Sequence, residues 1–211
     1  MKQNQIKKSL KINWYFYLTL LICLWLLSKK FNKSLFNLIY SIIIISFIGW
    51  LVHWTSHKVN FTNFITKKNN SITRNKILNS ILIKTCNFLD FHPTTHHDSE
   101  INNSCKNIIY EFINNIFTQG LFFIIILWFI KKVDIRICIL WAFLYATIHN
   151  INYRIKSPKT HIQHHIDDQV NYGIDIWDII LNTKSDKIYI ENHNHGAINL
   201  MCLTLLLIFL T

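Results

Sequence analysis

Apolar residues in this chain are gathered into blocks rather than spread evenly. Four blocks stand out, at 12–27, 35–52, 116–130 and 135–148, and another, 197–210, closes the chain. A helix that crosses a bilayer needs about 20 mostly apolar residues. The second block meets that length once Phe31 to Trp54 is counted. The others are shorter and need flanking polar or snorkelling residues to complete a crossing. The pattern predicts an all-α, polytopic membrane protein read as a single membrane domain over 1–211, with four transmembrane helices. The C-terminal block is a fifth hydrophobic helix that crosses, lies re-entrant or packs along the outside.

Threading the chain through four crossings puts the N-terminus, 55–115 and 149–196 on one side, and only the links near Lys29–Lys33 and Lys131–Arg136 on the other. All eleven histidines then share a face, although nothing in the threading required it. Lys and Arg divide 16 to 6 in favour of that same face, which the positive-inside rule makes cytosolic. Between the second and third blocks, Ile77, Leu78, Ile81, Leu82, Thr85, Phe88 and Leu89 recur at helical spacing beside Lys76 and Lys84. That stripe predicts a helix in the membrane interface, and 60–72 reads as a polar surface loop. The basic start, MKQNQIKKSLK, runs into an apolar stretch with no small-residue cleavage site, as a retained signal-anchor helix does.

Composition changes this picture little. The formal charge of +11 accompanies abundant Ile, Lys and Asn, a set that A/T-rich coding inflates, so it is no signal for nucleic acid. Cys23, Cys86, Cys105, Cys138 and Cys202 have neither paired nor metal-type spacing, which points to reduced thiols rather than a disulfide framework.

The chemistry lies in the histidines. Nine of the eleven form four clusters just outside hydrophobic blocks: His53/His57, His92/His96/His97, His149 and His161/His164/His165. His53 and His57 are four apart, and His161, His164 and His165 stand at i, i+3 and i+4, so each set shares one helical face. Neutral imidazole is the commonest protein metal ligand and suits iron, copper and zinc. Nine exceed what one tetrahedral zinc site uses, so the count points to two metal ions in a cytosolic histidine-rich helical cap. His193 and His195 in ENHNHGA read more as a surface pair than as ligands.

The ordered set HWTSH, HPTTHHDSEIN and THIQHH followed by NYGIDIWDIILNT resembles the fatty acid hydroxylase/sterol desaturase superfamily of membrane di-iron oxygenases. The resemblance covers the histidine-box region, 50–183, and is strongest over His161 to Asp178. It implies two iron ions that activate O2 to hydroxylate or desaturate a fatty acyl or sterol lipid, with His53, His57, His92, His96, His97, His149, His161, His164 and His165 as ligands. Asp90, Asp98, Glu100, Asp167, Asp168 and Asp178 are candidates to accept the second ring N–H of those histidines, and Asp178 could instead brace the helix IDIWDIIL. No flavin, NAD or haem signature is present. The resemblance therefore implies an external electron donor such as cytochrome b5 or a ferredoxin, an endoplasmic-reticulum-type membrane, and a lipid channel lined by residues such as Phe47, Trp50, Leu144 and Tyr145.

Three departures from the family pattern bear on activity. The second box has one extra residue, the third has Tyr153 in place of a second histidine, and Asn182 stands where a glycine often precedes Thr183. Tyr153 itself, a water held by Asn150, or His193/His195 could fill the coordination that Tyr153 leaves open. SPKTHIQHH and GWLVHW also resemble the plasmalogen-type lipid desaturases, which share the chemistry but lack NYG…WD. A zinc-dependent membrane hydrolase would need three protein ligands, and a catalytically degenerate relative would keep the fold alone.

Overall fold

The computed structural model describes residues 2–68, 76–97, 104–118, 133–186 and 190–211, and every regular element among them is helical. The chain opens with α1 (Lys2–Ile12), breaks at Asn13 and continues as α2 (Trp14–Phe31). Asn32 takes the left-handed conformation at φ 49°, and the N–H groups of Asn32 and Lys33 both close on the Ser28 carbonyl. Asn tolerates that conformation better than most residues. The turn sends α3 (Leu35–Lys58) back alongside α2.

α3 carries the chain to the histidine end. There α4 (Phe61–Lys68) packs on α5 (Lys76–Leu89), and a π-helical turn spans His92–His96. α6 (Cys105–Ile116) lies against α7 (Ile135–Thr147), which runs through a second π turn (Ile148–Asn152) into α8 (Tyr153–Lys156). α9 (Lys159–Ile166), α10 (Asp175–Leu181) and a 3-10 turn (His193–Gly196) lead into the closing α11 (Ala197–Leu210).

The core is where α2, α3, α7 and α11 meet: Cys23, Leu24 and Leu27 pack with Leu38, Ile45, Ile137, Leu144 and Leu200. The outward faces are equally apolar. Trp14, Trp25, Phe36, Leu206 and Phe209 are all exposed, Phe209 at 88%. A soluble bundle would bury that surface; here it suits hydrocarbon as the solvent. Three helices, Trp14–Phe31, Leu35–Lys58 and His193–Leu210, are long and apolar enough to cross a membrane, which marks the chain as a membrane protein. The C-terminal block therefore has a crossing length once its 3-10 turn is counted. α7 alone is 13 residues, about 20 Å at 1.5 Å per residue, short of a hydrocarbon core of about 30 Å. Of the expected crossing at 116–130, all but 116–118 lies outside the described residues.

The two ends of the bundle differ. At one, Arg136 pairs with Asp134 at 2.6 Å and lies 4.2 Å over the Phe31 ring, so the 29–33 link and the start of α7 sit together. At the other lie the ends of α3 and α7 and the start of α11, with all eleven histidines. The expected loop over 60–72 is corrected in part: Phe61–Lys68 is helix. Its free N–H groups are answered by side chains, Asp90 accepting from Phe61 (2.9 Å) and Thr62 (2.6 Å), and Asn60 from Asn63 (2.7 Å). A short segment whose apolar residues are only Phe61, Phe64 and Ile65 becomes helical with a distant carboxylate capping its start.

Candidate metal centre

α3 ends with His53 and His57 on one face, as i, i+4 spacing requires. The π turn at His92–His96 widens the helical path by one residue. That offsets the extra residue of the second box and leaves His92, His96 and His97 all facing the same interior. A second π turn carries His149, and α9 presents His161, His164 and His165.

The nine side chains converge. They form three overlapping groups, within each of which the ligand atoms lie inside 4.8 Å of one another: His53/His57/His92/His97/His164, His92/His96/His149, and His96/His161/His165. His92 links the first group to the second, and His96 the second to the third. Each group could hold a metal ion.

The donor atoms are arranged for such an ion. The Nε2 atoms of His53, His57, His92, His97, His149 and His164 are buried with no hydrogen-bond partner. An unpaired buried polar atom is costly, and six in one place call for a shared partner. His165 Nε2 lies 3.0 Å from His96 Nε2 and 3.1 Å from His161 Nε2. Nitrogens about 2.1 Å from one ion and at right angles would be separated by about 3 Å.

The opposite ring nitrogens are tied down. His53 Nδ1 donates to the Tyr172 carbonyl at 2.5 Å, and His164 Nδ1 to the Val170 carbonyl at 2.6 Å. Glu111 Oε1 takes His96 Nδ1 at 2.7 Å and His149 Nδ1 at 3.2 Å, while Oε2 accepts from Arg154 at 3.1 Å. Such contacts fix the tautomer and aim Nε2 at the metal position.

Electrostatics agrees. Burial, followed by the neighbouring rings, holds His92 and His161 well below the usual imidazole range and brings His96 down to about 3. The rings are therefore neutral at physiological pH, the form that ligates. Burial alone would raise the Glu111 carboxyl, but the rings of His149 and His96 hold it below the usual carboxylate range.

Glu111 was not foreseen. It sits in NIIYEFINN with no box-like spacing, and its only sequence signal is a lone acid on an otherwise apolar and amide-bearing helix. Tyr172 and Val170 act through backbone carbonyls, which no side-chain pattern reveals.

The expected acids sort differently. Asp168 lies 3.9 Å from His57 Nδ1 and is half exposed. Asp167 is exposed and accepts from the Gln169 N–H, and Asp90 caps α4. Asp178 is the expected brace: it accepts from Trp50 Nε1 (3.0 Å), Tyr172 N (3.0 Å), Gly173 N (3.1 Å) and the Thr183 hydroxyl (2.6 Å). It thereby positions the Tyr172 carbonyl under His53. A Cβ on Gly173 would come within 3.1 Å of the Trp50 ring, so a side chain there would disturb the same bracket. Asn182 adopts the left-handed φ of 61°, so it fills the usual glycine's conformational role. Asp98 and Glu100 lie outside the described residues.

Tyr153, His193 and His195 belong to none of the three histidine groups, but the expected surface pair is corrected: His193 is buried and His195 half-buried against Asn152. The Tyr153 ring lies 4.5 Å from that of His161, and burial and the adjacent Glu191 carboxylate raise its phenol well above the usual range, so it stays neutral. The Asn150 amide donates to Ala146 O and leaves its own buried oxygen without a partner.

Two cavities flank the histidines. One, of about 70 Å³, is walled by Trp50, Leu144, Tyr145 and Ile148 and reaches His53, His149 and His161. Phe47, expected in this wall, lies outside it: its ring stacks on Trp50 at 6.2 Å and meets the edge of Trp177 at 5.2 Å. The other, of about 260 Å³, runs between α3, α5 and α6 past Leu51, Leu89 and Asn115 to His53 and His92. Comparison with family models, curated proteins and solved structures finds no match.

Proposed function

We propose that this chain is a membrane di-iron oxidoreductase that hydroxylates or desaturates a lipid, using O2 and electrons from a separate donor such as cytochrome b5 or a ferredoxin. The observation that carries this reading is the set of six buried, unpartnered Nε2 atoms facing one another while opposite ring nitrogens are anchored. Nine imidazoles exceed the needs of one zinc ion and suit a redox-active pair. Bound there, two irons supply O2 activation against an unreactive C–H bond.

The chain's own residues do the rest. His53, His57, His92, His97 and His164 would hold one ion, and His96, His149, His161 and His165 the other, with Glu111 fixing the rings of His96 and His149. Trp50, Leu144, Tyr145 and Ile148 orient an apolar chain against His53, His149 and His161 and exclude water. The 16-to-6 division of Lys and Arg along the sequence supports a cytosolic histidine end by the positive-inside rule, and positive charge there would steer an acidic donor; an endoplasmic-reticulum-type membrane is part of the same reading.

The test is elemental analysis of detergent-purified protein, followed by Mössbauer spectroscopy. Near two irons per chain with coupled di-iron spectra supports the reading, and lipid profiling then seeks the product. A single zinc, or well-folded protein that takes up no metal, overturns it in favour of a hydrolase or a degenerate relative.

A further inference from the structure

The smaller cavity has an end that the metal centre does not use. Glu191 enters its wall only 7% exposed, and its backbone is held on both sides. The Glu191 N–H donates to Asp175 at 2.8 Å, and its carbonyl accepts from Asn13 Nδ2 at 2.8 Å. The next turn is fixed too, by His193 N–H to Asn13 Oδ1 at 2.6 Å. Of the two carboxylate oxygens, Oε2 takes the Thr160 hydroxyl at 2.5 Å. Oε1 is buried with no hydrogen-bond partner, and His193 Nδ1 lies 3.5 Å away. His193 Nε2 and Trp141 Nε1, in the same wall, are likewise buried and unpartnered.

These atoms specify a ligand chemistry. Glu191 Oε1 accepts and the Trp141 indole can only donate, while an imidazole Nε2 such as that of His193 donates or accepts according to its tautomer. A hydroxyl answers all three kinds of demand. An ammonium group would leave the indole N–H unanswered, and a carboxylate would face Glu191 with like charge. Around them the wall is apolar, with Phe16, Leu144 and Ile148. We propose that Glu191, His193 and Trp141 form a head-group subsite that binds the hydroxyl of a long-chain, alcohol-type amphiphile. Its role as a substrate subsite rests on the oxidoreductase reading.

The position bears on where the molecule reacts. Tyr153 lies beside Glu191, with its ring 4.5 Å from His161 and 5.6 Å from His149. One aromatic residue thus separates the subsite from the histidines. A hydroxyl held at Glu191 brings the carbons near the polar end of the molecule to the metal centre, not the middle of its chain. A volume of about 70 Å³ admits the polar end of such a molecule and not its whole chain, since one water needs about 10–15 Å³.

The experiment is equilibrium binding of tritiated hexadecanol and tritiated palmitate to the full chain in neutral phospholipid nanodiscs, with metal content measured on the same samples. Saturable hexadecanol binding at least about tenfold tighter than palmitate is expected. Glu191→Gln should weaken the alcohol by about tenfold and remove the discrimination against palmitate. If Glu191→Gln does not fold, as judged by circular dichroism, Trp141→Phe carries the test, with loss of alcohol affinity and palmitate unaffected. Equal binding of the two lipids by the wild type, or unchanged alcohol affinity in a folded variant, overturns the subsite. Metal-free protein that still prefers hexadecanol would retain the subsite and sink the oxidoreductase reading; iron-loaded protein with no preference would do the reverse.

Discussion

The two halves of the histidine cluster are aimed by different means. In the five-histidine group, His53 and His164 lean on the carbonyls of Tyr172 and Val170. In the half around His96, two rings lean on one carboxylate, Glu111, which also carries Arg154. A backbone carbonyl is neutral and no substitution at its own residue removes it. A carboxylate adds charge, raises ligand basicity and vanishes with a single mutation. The first half is therefore robust and the second tunable, and one protein holds both within a few ångströms.

The largest break in this comparison is His96→Ala. His96 belongs to two of the three groups, so metal content should fall from two ions to one per chain, measured by elemental analysis. Retention of both would show that the halves are not separate. Glu111→Gln is expected to weaken only the His96 half, by about 10–100-fold in metal affinity, leaving one tightly held ion. Titration with a graded chelator reads this out, and parallel loss of both ions would refute the division.

Acid gives an intermediate effect. His96 and His165 are brought down to about 3 and about 4, in each case by burial first and neighbouring rings second. A histidine depressed in the folded state takes up its proton first in the unfolded chain. Its stabilising contribution is therefore full above pH 6.5, the ordinary value, and is lost as pH falls towards the folded one. Melting of metal-stripped protein should move to lower temperature between pH 6.5 and 4, and an unchanged midpoint across that window would count against burial of neutral rings. The smallest effect is expected from Asp168→Asn: its carboxylate is half exposed and 3.9 Å from His57, so metal occupancy should not change.

Much of the cluster was legible because its spacing is local. His53/His57 and His161/His164/His165 must share faces once their segments are helical, and those segments are. The second box was legible in kind but not in form, since a π turn absorbs its extra residue. The helix Phe61–Lys68 was missed because its cap, Asp90, lies 29 residues further along. Glu111 was missed for the same reason, meeting His149 across 38 residues with nothing in its neighbours to mark it. Of the box-flanking acids among the described residues, Asp167 and Asp168 face solvent and Asp90 caps another helix, leaving Asp178 alone as a brace of the site.

By itself the sequence determined where the apolar helices α2, α3, α7 and α11 lie, which residue types could hold a metal, and which residues share a helical face. Those properties follow from side-chain chemistry and a period of 3.6 residues, and need no partner. Only the tertiary structure decided which carboxylate aims the rings, which nitrogens stay unpaired, and where the cavity turns polar. Each depends on atoms from separate helices meeting within about 3 Å, and that distance is set by how the bundle packs.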